Sequence, residues 1–404
     1  MPLRPPAGFV SAFFDPLKNP DAPTGATATG GDQSASVSFT APVNVGGSAI
    51  TQYQAVAYTG STYVSNTAGA ASPISVTGLT NGTAYTFNVW ALNSYGPGPW
   101  SAATASVTPS LQRGIFGGGT NTAGQYSNVL DYVSIASAGN ATSFGALTSA
   151  RDQLASLAST TRGIFGGGTT GSTVNTIDYV TIATTGNATS FGILTTVTRT
   201  LAGCSSSTRG VFGGGVDATN NTNVMSYITI ASTGNATSFG QLTTAPANTP
   251  GSCSSPTRGL FAGGFGTSAV LNNIAYITIA TTGNATSFGQ LTVARQFIAG
   301  LSSSTRGVFG GGDASGSLNT IDYVTIATTG NATTFGNLLA ACYTAGGCSS
   351  STTGLFGGGY GSTGRTNVIT YITIASTGNS ANFGQLTVGR EALAACSNCA
   401  GGVQ

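Results

Sequence analysis

The chain contains no histidine, one lysine and one glutamate, and only 5% of its residues are charged, against roughly 25% in an ordinary soluble protein. Without histidine, the usual Ser-His-Asp and Cys-His nucleophile arrangements and the common zinc sites cannot be assembled. Carboxylates are almost as scarce. Asp and Glu together number ten, whereas glycoside hydrolysis normally needs two carboxylates facing one cleft. Three of them, Asp131, Asp178 and Asp322, share a repeat position that Ser226, Ala275 and Thr370 fill elsewhere, so the position is expected to be a solvated or capping site. The formal charge of +2 and the single spacing of the basic residues give no field for steering nucleic acid or an anionic membrane. No window approaches the ~20 consecutive apolar residues of a spanning helix. The opening MPLRPPAGFVSAFFDPLKNP lacks the cationic start and continuous apolar run of a secretory signal. A protein without catalysis, cofactor, metal, nucleic-acid binding or membrane insertion is therefore expected.

What the sequence has in abundance is repetition and glycine, with 61 Gly in 404 residues. RGIFGGG at 113 and 162, RGVFGGG at 209, RGLFAGG at 258, RGVFGGG at 306 and TGLFGGG at 353 are separated by 49, 47, 49, 48 and 47 residues. Each unit reads as four short strands: RGIF, then NTIDYVTIA after a variable loop, then NATSFGIL after TTG, then an Ala/Leu/Ser-rich stretch such as RTLAGCSSS. The TTGN turn is explained by the tolerance of Gly and Asn for positive φ, and the glycine triplet by a close backbone approach. A four-stranded sheet that is apolar on both faces cannot bury them alone, so the units must stack on one another.

Four strands per 40–50-residue repeat imply a β-propeller, whose radial closure protects sheet edges. The first unit has no Ala/Leu/Ser strand before Arg113, and EALAACSNC at the C-terminus has no complete unit after it. The last strand is thus expected to complete the first blade, giving six. The Gly-Gly after the first strand, the tyrosines of the next (Tyr132, Tyr179, Tyr227, Tyr276, Tyr323, Tyr371) and the aromatic after it resemble kelch repeats. That aromatic is Phe (Phe144, Phe191, Phe239, Phe288, Phe335, Phe383), where kelch repeats usually carry Trp. Kelch-type propellers with an accessory β domain bring in the galactose oxidase family, but its copper site uses His ligands that this chain lacks. The Asp-box of sialidases, S-x-D-x-G-x-T-W, is also absent.

Residues 21–109 differ from the repeats. Leu79 and Tyr85 in LTNGTAY, the alternation Phe87, Val89, Ala91, and the following Asn93 and Gly96 resemble a fibronectin type III sandwich, with Phe39 where that family commonly has Trp. The expected architecture is all-β: an N-terminal arm over 1–20, a fibronectin type III-like domain over 21–109, and a six-bladed kelch-like β-propeller over 113–404 closed by the C-terminal strand. Phe9, Phe13 and Phe14 on the arm are candidate docking residues. Arg113, Arg162, Arg209, Arg258 and Arg306 form a candidate ring on one propeller face, able either to bind carboxylates or to hold neighbouring turns.

Cys204, Cys253, Cys348 and Cys396 fall at a position where other units have Leu157 and Leu301, which reads as a buried apolar slot. Cys396 and Cys399 form a lone CxxC, a weak metal or redox signal. The sequons at Asn140, Asn187, Asn235, Asn284 and Asn331 coincide with the turn and are treated as incidental. The loops after the glycine triplets (TNTAGQYSN, TTGSTVN, VDATNNTN, FGTSAVLNN, DASGSLN, YGSTGRTN) vary while the strands do not, as a binding rim would.

Near-identical blades, heavy Gly/Ser/Thr/Asn usage and a leading fibronectin-like module are similar to tailed-bacteriophage virion appendage proteins. That resemblance implies a structural virion protein in a tail fibre, tail tip or head decoration, present in multiple copies on the particle surface. Its partners would be other virion proteins and host-surface glycans. A bacterial cell-surface adhesion or matrix protein is the alternative.

Overall fold

The computed structural model describes residues 17–399, and every regular element in them is a strand. Two compact units divide the chain, one ending at Leu111 and the other beginning at Gln112.

The first unit is a two-sheet sandwich. β1 (Thr24–Gly31), β2 (Ser34–Thr40) and β5 (Ile74–Thr77) form one sheet in the order β1-β2-β5. β3 (Gln52–Thr59), β4 (Thr62–Gly69), β6 (Thr86–Asn93) and β7 (Gly96–Pro97) form the other in the order β4-β3-β6-β7. Strict alternation along β6 buries Phe87, Val89 and Ala91 against Val37, Ala55 and Val76, as period-2 patterning requires. Phe39 packs on Tyr53 with ring centroids 4.8 Å apart. The buried Tyr85 hydroxyl accepts a hydrogen bond from the Thr80 backbone N–H at 3.0 Å, tying the chain across a corner beside the buried Leu79.

The second unit holds six four-stranded antiparallel sheets of one design. In each, an Ala/Leu/Ser-rich strand precedes the strand that starts the next repeat, so repeat boundaries and sheet boundaries are offset by one strand. Ala155–Ala158 pairs with Arg162–Gly166, which pairs with Thr176–Thr181 and then Thr189–Ile193. The sheet that starts at Arg113–Gly117 receives its equivalent strand from the other end of the unit: Ala394–Ser397 pairs with it, Ala395 opposite Phe116. A register shift recurs at the same place between the last two strands of every sheet.

Six apolar clusters lie one at each junction between neighbouring sheets, including the junction of repeat 6 with repeat 1, where Leu355 and Ile369 meet Phe116 and Ile135. Fully burying each large apolar side chain contributes ~1.5–3 kcal/mol, so the junctions dominate the stability of sheets this small.

Polar contacts run along the same junctions. The Asn of each TTGN-type turn accepts a bond from an edge-strand N–H of the preceding repeat at 3.0–3.2 Å, from Asn187 with Ala146 to Asn140 with Gln385. The turn asparagines do not take positive φ, and among the turn glycines only Gly283 does, at a nearly extended 158°. The asparagine is set instead by the neighbour, whereas a Cβ on the turn glycine would meet nothing within 4 Å, and it is the facing edge strand that requires glycine. A Cβ on Gly192 would sit 2.2 Å from the Gly234 carbonyl oxygen, and the other five repeats reproduce this approach. The turns thereby cover each sheet's edge, the surface that otherwise invites unwanted pairing. Glycines 118 and 119 of the triplet, and their equivalents, do take positive φ, with Gly118 at 69° and Gly119 at 99°.

The carboxylate position expected to be solvated is fully buried. Asp131, Asp178 and Asp322 each meet an arginine of the preceding repeat, Arg390 at 2.6 Å, Arg151 at 3.0 Å and Arg295 at 3.1 Å, with both side chains inaccessible to solvent. A threonine completes each carboxylate: Thr387, Thr148 and Thr292 donate at 2.6–2.7 Å. At the other three junctions both partners change together, to Thr198 with Ser226, Pro246 with Ala275, and Cys342 with Thr370. A buried charge is tolerated only when paired, so the two positions alternate between a full ion pair and a neutral pair. Two of the neutral junctions retain small cavities of about 10 Å³ beside these residues. Burial pushes the three arginines below their usual range, opposed by the paired aspartates.

Asp178→Ala, which strands the Arg151 guanidinium, is expected to lower unfolding free energy by about 3–5 kcal/mol. The double change Arg151→Thr with Asp178→Ser copies the neutral junction of repeats 2 and 3 and should recover most of that loss. Urea unfolding of the two variants checks both.

Candidate functional site

Two ends of the same strand set differ sharply in what they can do. At the start of each first strand, the guanidiniums of Arg113, Arg162, Arg209, Arg258 and Arg306 lie 4.4–4.7 Å from the centroids of Tyr132, Tyr179, Tyr227, Tyr276 and Tyr323. Each also donates to a backbone carbonyl of the following repeat, such as Arg113 to Ile182 and Ala183 at 3.0 Å. Cation–π stacking and carbonyl bonds occupy these side chains, which are half-buried. Repeat 6 has Thr353 at this position. Phe9, Phe13 and Phe14 lie outside the described residues.

At the opposite strand end the glycine triplets lead into hairpins. The residue after each triplet, Thr120, Thr169, Val216, Phe265, Asp313 or Tyr360, bridges across to the preceding repeat at Glu391, Asp152, Arg199, Ala247, Gln296 or Tyr343. The next residues, Gln153, Thr200, Asn248, Phe297, Thr344 and Ala392, all have φ of 52–58°. Their backbones form a closed circuit: Thr200 N–H donates to Gln153, Thr249 to Thr200, Phe297 to Asn248, Thr344 to Phe297, Ala392 to Thr344 and Gln153 to Ala392, at 2.7–3.1 Å. Repeat 3 places two left-handed residues, Asn248 and Thr249, in its step of the circuit. Backbone strain at non-glycine residues persists where surrounding structure over-determines it, and here the circuit does so while leaving the side chains free to differ.

They do differ. The three variable sets, hairpin, bridge and left-handed residue, converge on one face, whereas the strands below are nearly invariant. Between repeats 4 and 6, Phe297, Tyr343 and Tyr360 form a row with centroids 5.8 and 5.5 Å apart. Arg365 lies over Tyr360 at 6.0 Å and pairs with Glu391 at 2.7 Å. Across the junction into repeat 1, Asp152 accepts from the Thr120 hydroxyl at 2.7 Å. Burial raises the Asp152 carboxyl above the usual range, countered by the Thr120 bond and reinforced by Glu391. The Tyr343 hydroxyl is raised by burial and then by Glu391. The loops were legible from sequence as the variable element; the bridge and left-handed residues were not, because they sit in the least repetitive stretch of the unit.

The six Ala/Leu/Ser-rich strands line one common cavity of about 120 Å³. Its wall is small and uncharged, and each of the six strands offers it one half-buried residue, Ser156, Gly203, Ser252, Gly300, Gly347 and Ala395. Pockets that engulf small molecules run to roughly 300–1,000 Å³, so this cavity is too small to engulf one. Serine hydroxyls stitch the strands around the cavity: Ser205, Ser254, Ser302, Ser349 and Ser397 each donate to the preceding strand's carbonyl at 2.6–2.8 Å. Ala158 stands at the sixth position.

No group of three or more metal-ligating side chains converges among the described residues. The six cysteines are thiols. Cys204, Cys253, Cys348 and Cys396 are buried in the apolar slot beside a glycine of the next sheet, Cys204 against Gly259 for example. Burial raises the Cys204 and Cys396 thiols to about 12. Cys399 is likewise raised to about 12, so the CxxC is poorly placed for thiolate chemistry.

A fibronectin type III domain model matches residues 21–107. Comparison with curated proteins finds no match for the chain.

Raised folded-state thiol values give stability that is fully present below the unfolded value of about 8.5 and is lost as pH rises toward the folded one. Unfolding free energy should therefore fall from about pH 9 upward, and a variant with Cys204, Cys253, Cys348 and Cys396 changed to Leu, as Leu157 and Leu301 already are, should show a flatter profile. The native slot thiols should also resist a disulfide-exchange reagent at pH 8 until the chain is unfolded in urea.

Proposed function

We propose that the second unit is a six-bladed kelch-like β-propeller and that the chain is a non-enzymatic structural virion protein of a tailed bacteriophage, in a tail fibre, tail tip or head decoration. The variable face would recognise host-surface glycans or neighbouring virion proteins by non-covalent contact. One observation carries this reading: variation is concentrated on one face of an otherwise repeated scaffold, and that face is built on a backbone circuit independent of side-chain identity. Cyclic sheet junctions and the common cavity support the propeller. The carboxylates at the repeated position are consumed in ion pairs, which supports a role without catalysis.

Several copies on one particle would make weak contacts useful through effective concentration. The fibronectin type III match favours a second reading, a bacterial cell-surface adhesion or matrix protein, since such modules are common in extracellular and adhesion proteins. A low charge of +2 suits neither nucleic-acid binding nor an anionic membrane partner.

Antibody raised against residues 113–404 should give immunogold label at a fixed tail or head position on purified particles. Label on cell surfaces with bare particles would replace the virion reading by the adhesin.

A further inference from the structure

The variable face is uneven, and its unevenness is chemical. Repeats 4, 5 and 6 contribute the Phe297–Tyr343–Tyr360 row, with each ring half-buried and part of it accessible. Repeat 1 adds Tyr126, 42% exposed, on the hairpin whose Thr120 is paired with Glu391. Where the aromatic row ends, acceptors begin. Asp152 is only 6% exposed, yet its Oδ1 has no hydrogen-bond partner among the described residues, and neither does the buried Oε1 of the adjacent Gln153. Unmet buried acceptors of this kind are rare in folded proteins and call for a donor.

The remaining charges narrow the class of donor. Arg365 is already paired with Glu391, so it is not a free anion receptor. Asp152 and Glu391 are matched in number by Arg365 and by Arg199, which lies close enough to oppose the rise at Asp152, so the sector carries no net charge to draw a carboxylate or sulfate ligand. A molecule with apolar C–H faces for the rings and hydroxyl donors for the acceptors, and without negative charge, fits both halves. The geometry points to a binding subsite for a neutral oligosaccharide that runs from Phe297 across Tyr343 and Tyr360 to Asp152 and Gln153. This assignment rests on the reading of the variable face as a recognition rim and names one sector of it and its ligand class.

The sister repeats supply substitutions already compatible with the scaffold. Phe297→Thr copies Thr200, Tyr343→Gln copies Gln296, and Tyr360→Thr copies Thr169. The full chain and this triple variant would be tested against neutral oligosaccharides of glucose, galactose, mannose and N-acetylglucosamine, and against sialylated and uronate-containing ones, by glycan array and calorimetry. Thermal melts establish that the variant is folded.

The wild type is expected to bind at least one neutral oligosaccharide in preference to the anionic ones, and the triple variant to bind it at least about tenfold more weakly, since clustered aromatic anchors dominate such contacts. Gln153→Thr, after Thr200, should weaken it by a smaller factor. Preference for the anionic glycans, or unchanged binding by the triple variant, would overturn the assignment. Should exchange of the repeat 3 hairpin Asp217–Asn221 abolish binding while the triple variant is silent, the sector is wrong and the recognition rim stands. Should the wild type bind no glycan yet still attach to host cells, the subsite fails and the rim reading survives with a protein receptor.

Discussion

Each sheet of the repeated unit carries apolar side chains on both faces, and that single constraint governs everything else in it. A sheet of four strands, the longest of six residues, cannot solvate Ile164 or Phe165 on either side. It must be flanked on both sides, and so must its neighbours. A linear stack would leave two faces bare. The chain avoids this by lending Ala394–Ser397 to the sheet of Arg113–Gly117 and packing Leu355 and Ile369 of repeat 6 on Phe116 and Ile135 of repeat 1. Burial on every junction then offsets the ordering entropy of short strands.

Around that apolar requirement, each junction carries a redundant polar set: the turn asparagine on the neighbour's edge, the arginine on the neighbour's carbonyl, the serine on the preceding inner strand, and the left-handed residue in the backbone circuit. Redundancy is what permits local loss. Repeat 6 lacks the arginine at Thr353 and the inner circle lacks a serine at Ala158, yet both junctions close through the other contacts. The Arg–Asp pair is different, because its members cannot be lost singly. Arg390 with Asp131, Arg151 with Asp178 and Arg295 with Asp322 are kept or replaced as pairs. That rule distinguishes junctions that are otherwise nearly identical and opposes association of repeats out of order.

Much of this was readable from the letters. Strand positions within the repeat follow from period-2 alternation and glycine punctuation, and the Leu79–Tyr85 corner of the sandwich from its spacing. Residue types explained by contacts within one repeat were legible; those explained by the neighbour were not. Asp178 looked solvated because its partner, Arg151, lies 27 positions earlier and in another repeat. The turn asparagine was assigned to a local backbone preference when its work is on the adjacent sheet's edge. The variable face was half legible: the hairpins announced themselves by variation, while Asp152, Gln153, Phe297 and Tyr343 lay in a stretch without any motif, and only the register of the bridges brings them beside the hairpins.

The same division of labour explains how so uniform a chain can vary on one face alone. Residues in the backbone circuit hold their φ through N–H and C=O groups that every non-proline residue possesses, so Gln153, Thr200, Asn248, Phe297, Thr344 and Ala392 can differ without disturbing it. Below them, a change at Phe165 or Asp178 disturbs two sheets at once. Substitution is thus cheap on one face and costly everywhere else. Near-identity of the strands and divergence of the rim follow from where the hydrogen bonds lie, and six sites of independent variation are arranged around one common cavity.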